Sequence, residues 1–238
     1  MKTHVPKTAL LGFSLLFSTV SLSAQILASG LCNTGLIPKA PQPTGCTTSI
    51  PVTPVNPVDG GTSVDGNWQL ARPYPSAPYT AAAPDPCTSR AYGPAWVNAA
   101  FPGWYNPDDQ ISQWIEPLGG GYTSPGWYIY RTSFPVPLND MGYLRYALEV
   151  NGQFMGDNEI YSIYLEDPIG DTTSCRAVDV FSSINQQYAW NSFTVRAAAL
   201  FPGTNAFLYF VVYNQQGAVG GNPTGLRVEF ITPEFLPY

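Results

Sequence analysis

Tyr128-Ile129-Tyr130-Arg131-Thr132-Ser133-Phe134 is the stretch whose reading decides the fold class. Tyr128, Tyr130, Thr132 and Phe134 share one face of an extended chain, the period-two alternation of a β-strand lying on a core. The run belongs to a predicted strand at Tyr128–Val136. Similar short runs recur on both sides, at Asn67–Ala71, Leu144–Val150, Glu159–Glu166, Ser192–Val195, Ala206–Tyr213 and Leu226–Ile231, with shorter pieces around Trp96 and Trp114. Pro, Gly, Asn and Asp separate them. In Ile160-Tyr161-Ser162-Ile163-Tyr164-Leu165 the alternation blurs, as in a strand buried on both sides. No segment carries a sustained helical stripe, and Ala197–Leu200 reads as a single helical turn. Many short strands at regular spacing predict an all-β protein, a β-sandwich or jelly roll.

Composition agrees. Of 238 residues only 11% are charged, against about 25% in ordinary globular chains. The 33 Trp, Tyr and Phe residues exclude a disordered chain. The formal charge of −6 argues against a nucleic-acid partner, whose phosphates need a basic footprint.

Residues 1–24 read as a secretory signal: Lys2 and Lys7, an apolar run from Ala9 to Val20, then Ser21-Leu22-Ser23-Ala24 at the cut. The run is too short for a membrane span, which takes about 20 residues, and no other stretch is long and apolar enough. The expected location is secreted and extracellular. His4, the only histidine, leaves with the signal, so no Ser-His-Asp or Cys-His centre and no His-liganded metal site is available to the mature chain. Residues 25–61 hold Pro38, Pro41, Pro43, Pro51, Pro54 and Pro57 and read as a Pro-rich extended arm, a linker or spacer, ahead of a domain at 62–238. Cys32, Cys46, Cys87 and Cys175 form an even set in an exported chain, which reads as two disulfides. Three pairings are open. The favoured one joins Cys32 to Cys46 within the arm and Cys87 to Cys175 across the domain.

Candidate functional residues cluster in loops and at strand ends. Trp68, Trp114 and Trp127 are expected in the core, whereas Trp104 and Tyr105 sit between Pro102-Gly103 and Asn106-Pro107, where no strand can use them. Exposed rings there would stack on the C–H faces of a sugar. Asp157, Asn158, Asn214 and Asn222 lie at strand ends, where their side chains hold turns or bond sugar hydroxyls. Arg227, inside a strand, reads as structural, with a buried pair to Asp157 as one version. The cofactor is unknown; Asp108-Asp109 and Asp59 with Asp65 are candidate positions for a structural calcium. Asp157 and Glu159 straddle Asn158, but nothing in the sequence pairs two acids as a glycosidase requires.

Asp65-Gly66-Asn67-Trp68, Ala95-Trp96-Val97-Asn98, Ser112-Gln113-Trp114-Ile115-Glu116-Pro117, the stretch 128–134, Gly156-Asp157-Asn158, Phe210-Val211-Val212-Tyr213-Asn214 and Asn222-Pro223-Thr224-Gly225-Leu226-Arg227-Val228-Glu229 follow one another in an order that resembles galactose-binding-like jelly-roll domains of exported bacterial proteins. The resemblance covers about residues 62–231. Such domains are common in proteins with a PEP-CTERM sorting tail, which Phe235-Leu236-Pro237-Tyr238 does not provide. The resemblance implies a galactose-binding-like jelly-roll β-sandwich with a Pro-rich N-terminal extension in a secretory setting. The expected function is a non-catalytic module that binds a polysaccharide or other glycan in the extracellular matrix. The candidate face is Trp104, Tyr105, Asp157, Asn158, Asn214 and Asn222. The alternatives are a structural subunit of a filament or surface layer that self-assembles through the arm, and a two-carboxylate glycosidase.

Overall fold

The alternating stretch lies in a strand, Gly126–Pro135, in the computed structural model, which describes residues 26–28, 30–35, 45–47, 50–51, 63–71, 83–88, 91–98, 104–105, 111–117, 123–138, 145–166, 175–180, 186–215 and 222–237. The strands in chain order are β1 (Ile26–Leu27), β2 (Ile50–Pro51), β3 (Ser63–Ala71), β4 (Gly93–Asn98), β5 (Trp114–Glu116), β6 (Gly126–Pro135), β7 (Tyr146–Asp157), β8 (Glu159–Glu166), β9 (Cys175–Val180), β10 (Asn191–Leu200), β11 (Asn205–Asn214) and β12 (Gly225–Pro237), with a 3-10 turn at Gln186–Tyr188. The signal segment 1–24 lies outside the described residues, as does Asp108-Asp109.

Pairing is antiparallel throughout, in the order β10-β7-β12-β5-β4-β3-β6-β11-β8-β9, with β1 added to β12 and β2 to β3. The sheet curls until its edge strands β10 and β9 meet. Aromatic contacts cross between the two layers so formed: Trp68 stacks on Phe230 at 6.3 Å, Phe193 meets Phe210 at 5.7 Å and Phe134 meets Phe235 at 6.1 Å. The protein is therefore an all-β sandwich of jelly-roll type. Tyr128, Tyr130 and Phe134 of β6 enter this main core beside their β11 partners Val212, Phe210 and Ala206. Trp127 and Ile129 point the other way, into a smaller outer cluster with Ala71, Tyr209, Val211 and Tyr213. Part-buried Ala83, Cys87 and Tyr92 pack against that cluster, so the first half of β6 is buried on both faces.

The blurred alternation in β8 has two causes: the strand is covered on both faces, as Tyr161 and Tyr164 pack part-buried on the outer cluster, and its register to β11 slips. Val211 pairs with Ser162 and Val212 with Ile160, so Tyr161 is an extra residue in a β-bulge. The bulge resets the phase: Ile160, Ile163 and Leu165 all face the main core although they do not alternate. Ala197–Leu200 is likewise not a helical turn but the irregular end of β10, where the register to β7 shifts. Strand β7 runs on past the expected end at Val150, through Asn151-Gly152-Gln153 to Asp157. A Cβ at Gly152 would lie 2.4 Å from the Phe193 ring, so glycine is required there by a packed aromatic rather than by a bend.

Part of the segment read as an arm belongs to the sandwich. β1 pairs with β12, Ala28 and Leu31 lie in the main core, and the Cys32 carbonyl accepts the Trp68 indole N–H at 2.8 Å. Asn33 Oδ1 accepts the Phe230 amide at 2.8 Å. Thr34 Oγ1 accepts the Val228 amide at 3.0 Å and donates to the Gln113 carbonyl at 2.7 Å. The reason is local composition: no proline precedes Pro38 in this segment, so residues 25–37 keep every amide donor that a strand needs. The disulfide Cys32–Cys46 then brings residues 45–47 back, and Thr47 exchanges two hydrogen bonds with the Asn67 side chain at 2.9 and 2.6 Å. Cys87 is also disulfide-bonded; the side chain of its expected partner, Cys175, lies outside the described ones.

Asp65 shows how this attachment is held. Its Oδ1 accepts the amides of Asn67 and Trp68 at 2.7 and 3.2 Å, and its Oδ2 accepts the Gly35 amide at 2.5 Å. Both oxygens are spent on backbone donors, which leaves little for the calcium expected of Asp59 and Asp65; Asp59 lies outside the described residues. Asp65→Ala is expected to cost about 3 kcal/mol or more, because hydrogen bonds to a charged group contribute roughly 1.5–3 kcal/mol each and the donors are left in a buried site. Urea unfolding measures it. A loss below about 1 kcal/mol would mean that these amides find other acceptors. Among the described residues no helix is long and apolar enough to cross a membrane.

Candidate functional site

The residues singled out in the sequence meet at one end of the sandwich. Asp157 ends β7, Asn158 makes the turn and Glu159 opens β8; the Asp157–Asn158 peptide bond is cis. Asn214 ends β11, and Asn222, just before β12, bridges to Thr123. Three amides lock these ends together. Asn158 Oδ1 accepts the Gln215 amide at 2.7 Å and Asn222 Nδ2 at 2.5 Å. Asn222 Nδ2 also donates to Asn214 Oδ1 at 3.1 Å, and Asn214 Nδ2 donates to Thr123 Oγ1 at 2.9 Å and to the Asn222 carbonyl at 3.1 Å. Asn214 is fully buried. These side chains hold the sandwich end closed, and Asn214 has no exposed surface for a ligand.

Trp104 is the hinge to the second half of the site. Its Nε1 donates to Asp157 Oδ2 at 3.0 Å and its ring lies 4.2 Å from that of Trp114. Gly225 makes room for it: a Cβ there would lie 2.9 Å from the Trp104 ring. With 9% of its surface exposed, Trp104 is a supporting ring rather than an open platform. Tyr105 is the exposed one. Its amide donates to the Gln187 carbonyl at 2.9 Å and its carbonyl accepts the Trp114 indole N–H at 3.3 Å, while its side chain is 46% exposed. The first bond sets Tyr105 against the 3-10 turn, whose Tyr188 is 59% exposed. Trp190, part-buried, packs on Trp104, Trp114 and Met155 beneath. The sequence reading missed Tyr188 and Trp190; the signal was the run Asn185-Gln186-Gln187-Tyr188-Ala189-Trp190, which mixes amides and rings between two strands.

The floor is polar. Asp157 Oδ1, Glu159 Oε2, Gln186 Nε2 and Gln187 Oε1 are buried atoms without a hydrogen-bond partner among the described residues. Gln186 uses its other end, Oε1, to accept the Ile160 amide at 2.6 Å. Burial raises the Asp157 carboxyl to about 7, against which the Trp104 hydrogen bond acts, and burial raises Glu159 as well. Tyr130, whose hydroxyl also lacks a partner among the described residues, is held protonated by burial and then by the Glu116 carboxylate. Asp157 and Glu159 are 2% and 3% exposed, so neither carboxyl is open to a substrate.

No family model matches the chain, and no curated protein matches it either.

Arg227 does not pair with Asp157. It is 1% exposed, donates through Nε to Ser112 Oγ at 2.7 Å and faces Glu229 at 3.8 Å. Ser112 donates to Glu229 Oε1 and Gln153 to Oε2, both at 2.7 Å, and the guanidinium lies 5.2 Å from the Trp190 ring centroid. Arg227 and Glu229 are two apart on β12 and share a face, which is why Glu229, not Asp157 at the end of β7, is the partner. Among the described residues no group of three or more His, Cys, Asp and Glu side chains is placed to hold a metal.

Proposed function

We propose that the protein is a secreted, non-catalytic carbohydrate-binding β-sandwich of the extracellular matrix, of the galactose-binding-like kind, and that its glycan lies on the Tyr105–Tyr188 end. One observation carries the reading: the Tyr105–Gln187 backbone bond brings the chain at two exposed tyrosines, Tyr105 and Tyr188, together beside the packed cluster of Trp104, Trp114 and Trp190. Exposed tyrosine rings stack on the apolar face of a sugar, and with two χ angles each they lose little side-chain freedom on binding. Amide groups of Asn158 and Asn222, part-buried at the rim, supply the kind of donors and acceptors that sugar hydroxyls use. The signal-like residues 1–24 support export. Self-assembly through the arm is less favoured, because residues 26–35 and 45–47 are engaged in the chain's own domain.

Affinity electrophoresis in gels containing soluble polysaccharides tests this. One polysaccharide or a related group is expected to retard the protein. Tyr105→Ala with Tyr188→Ala is expected to weaken that binding about tenfold or more, since each stacked ring contributes roughly 0.5–1.5 kcal/mol beyond its buried area. The melting temperature should stay near that of the parent, because both rings are exposed. Unchanged retardation in the double variant, or no retardation by any polysaccharide, would overturn the reading.

A further inference from the structure

A second groove, of about 510 Å³, lies away from this end, between the disulfide-stapled N-terminal segment and the outer faces of β3, β6 and β11. Gly30, Gly45 and Thr47 form one wall; Asn67, Gln69, Arg131 and Ser133 form the floor. Phe207 and Arg131 also line a smaller groove of about 220 Å³ with Tyr92 and Tyr209, so the two side chains make a shared wall. The chain is acidic overall, and Arg131 has no ion pair among the described residues.

The guanidinium is held in place without being neutralised. It lies 3.6 Å from the Tyr92 ring centroid and 5.2 Å from that of Phe207. Its Nε donates to Gln69 Oε1 at 2.9 Å, the cross-strand neighbour in the β3–β6 register. Glu166, the nearby acid of the smaller groove, accepts instead the hydroxyl of Tyr209, whose ionisation is pushed up by burial and then by that bond. Among the described residues one of five guanidinium N–H groups is used, and the other four remain as donors. A planar, pre-oriented guanidinium of this kind matches a carboxylate in bidentate fashion, which an ammonium does not.

We infer that this groove is a binding site for a saccharide that carries a single carboxylate, a uronate residue, with Arg131 on the carboxylate. Gln69, Ser133 and Asn67 stand along the same floor as partners for hydroxyls, and the part-buried Phe207 ring offers the apolar surface that a sugar face requires. The acidic balance of the chain favours one carboxylate over a long polyanion, which the remaining field repels. The stapled wall ties the site to the disulfide: Gly30 and Gly45 flank Cys32 and Cys46, and Thr47 is fixed on Asn67.

The test is isothermal titration of the full chain with a neutral oligosaccharide and with the same oligosaccharide oxidised to carry one uronate. The uronate form is expected to bind at least tenfold more tightly than the neutral form, and added salt should weaken only the uronate form. Arg131→Gln should abolish that preference. Because Arg131 also packs on Tyr92, a second variant, Ser133→Trp, fills the groove from an exposed position and should block binding with the melting temperature unchanged. Tyr105→Ala with Tyr188→Ala should leave uronate binding intact, which separates this site from the one proposed above. Equal affinity for the two forms, or a preference that survives both Arg131→Gln and Ser133→Trp, would overturn the inference.

Discussion

Arg227→Met is expected to destabilise the protein by about 3–5 kcal/mol, the usual result of leaving one partner of a buried ion pair uncompensated. Glu229 is 5% exposed and would be left, among the described residues, with Ser112 and Gln153 as its side-chain hydrogen-bond donors. Ser112 Oγ would lose the donor that now points at it. The loss should appear as a lower urea midpoint at constant slope. Changing both residues, Arg227→Met with Glu229→Leu, should recover much of it, because a well-packed apolar pair replaces a buried ionic pair at little cost. A single-variant loss under about 1 kcal/mol would show that Glu229 is rescued by water, and the pair would then have no structural role.

Asp157→Asn is expected to change the pH dependence of stability more than any other substitution at the sandwich end. The folded protein holds the Asp157 proton up to about pH 7, while the ordinary value is 3.8. The folded state therefore binds the proton more tightly than the unfolded state does. Its contribution to stability is fully present below about pH 4 and is lost as pH rises through 7. Three pKa units at about 1.4 kcal/mol each set an upper limit of about 4 kcal/mol. Asparagine imitates the neutral acid and keeps an oxygen for the Trp104 indole. The variant should match the parent near pH 4 and melt higher at pH 8. Glu159 and Asp65, both raised by burial, leave a residual slope of the same sign. Thermal unfolding between pH 4 and 8 decides the matter: parallel curves for parent and variant would mean that Asp157 is ionised in the folded protein throughout.

Much of the sandwich is legible in local sequence because strand periodicity is a local property. Glu159–Glu166 has the same bounds in both readings, and Ala206–Tyr213 and Tyr128–Val136 differ from β11 and β6 by no more than two residues at either end. Elements that depend on a distant neighbour were not legible. The extension of β7 past Val150 includes Gly152, whose place in a strand is explained only by the Phe193 ring that covers it. The bulge at Tyr161 exists only relative to Val211 and Val212. β1 was hidden by averaging the proline content of residues 25–61, although the prolines begin at Pro38.

The candidate site divides the same way. Trp104, Tyr105, Asp157, Asn158, Asn214 and Asn222 could be picked out as loop and strand-end residues, and they do converge. Residue type alone does not tell a side chain that closes a fold from one that faces a ligand. Asn214 and Trp104 turn inward because β11 and β12 end beside them and leave buried donors to satisfy. The sequence by itself determined the all-β class, nine of the ten strands on the main sheet path (β9 was missed), the turn-rich aromatic character and the absence of histidine beyond residue 4. Only the tertiary structure decided which rings stay exposed, that Arg227 answers Glu229 and that Arg131 lines a groove with no ion pair among the described residues. Each of these depends on which strands lie side by side, and that is set by packing across the whole core rather than by any single stretch of chain.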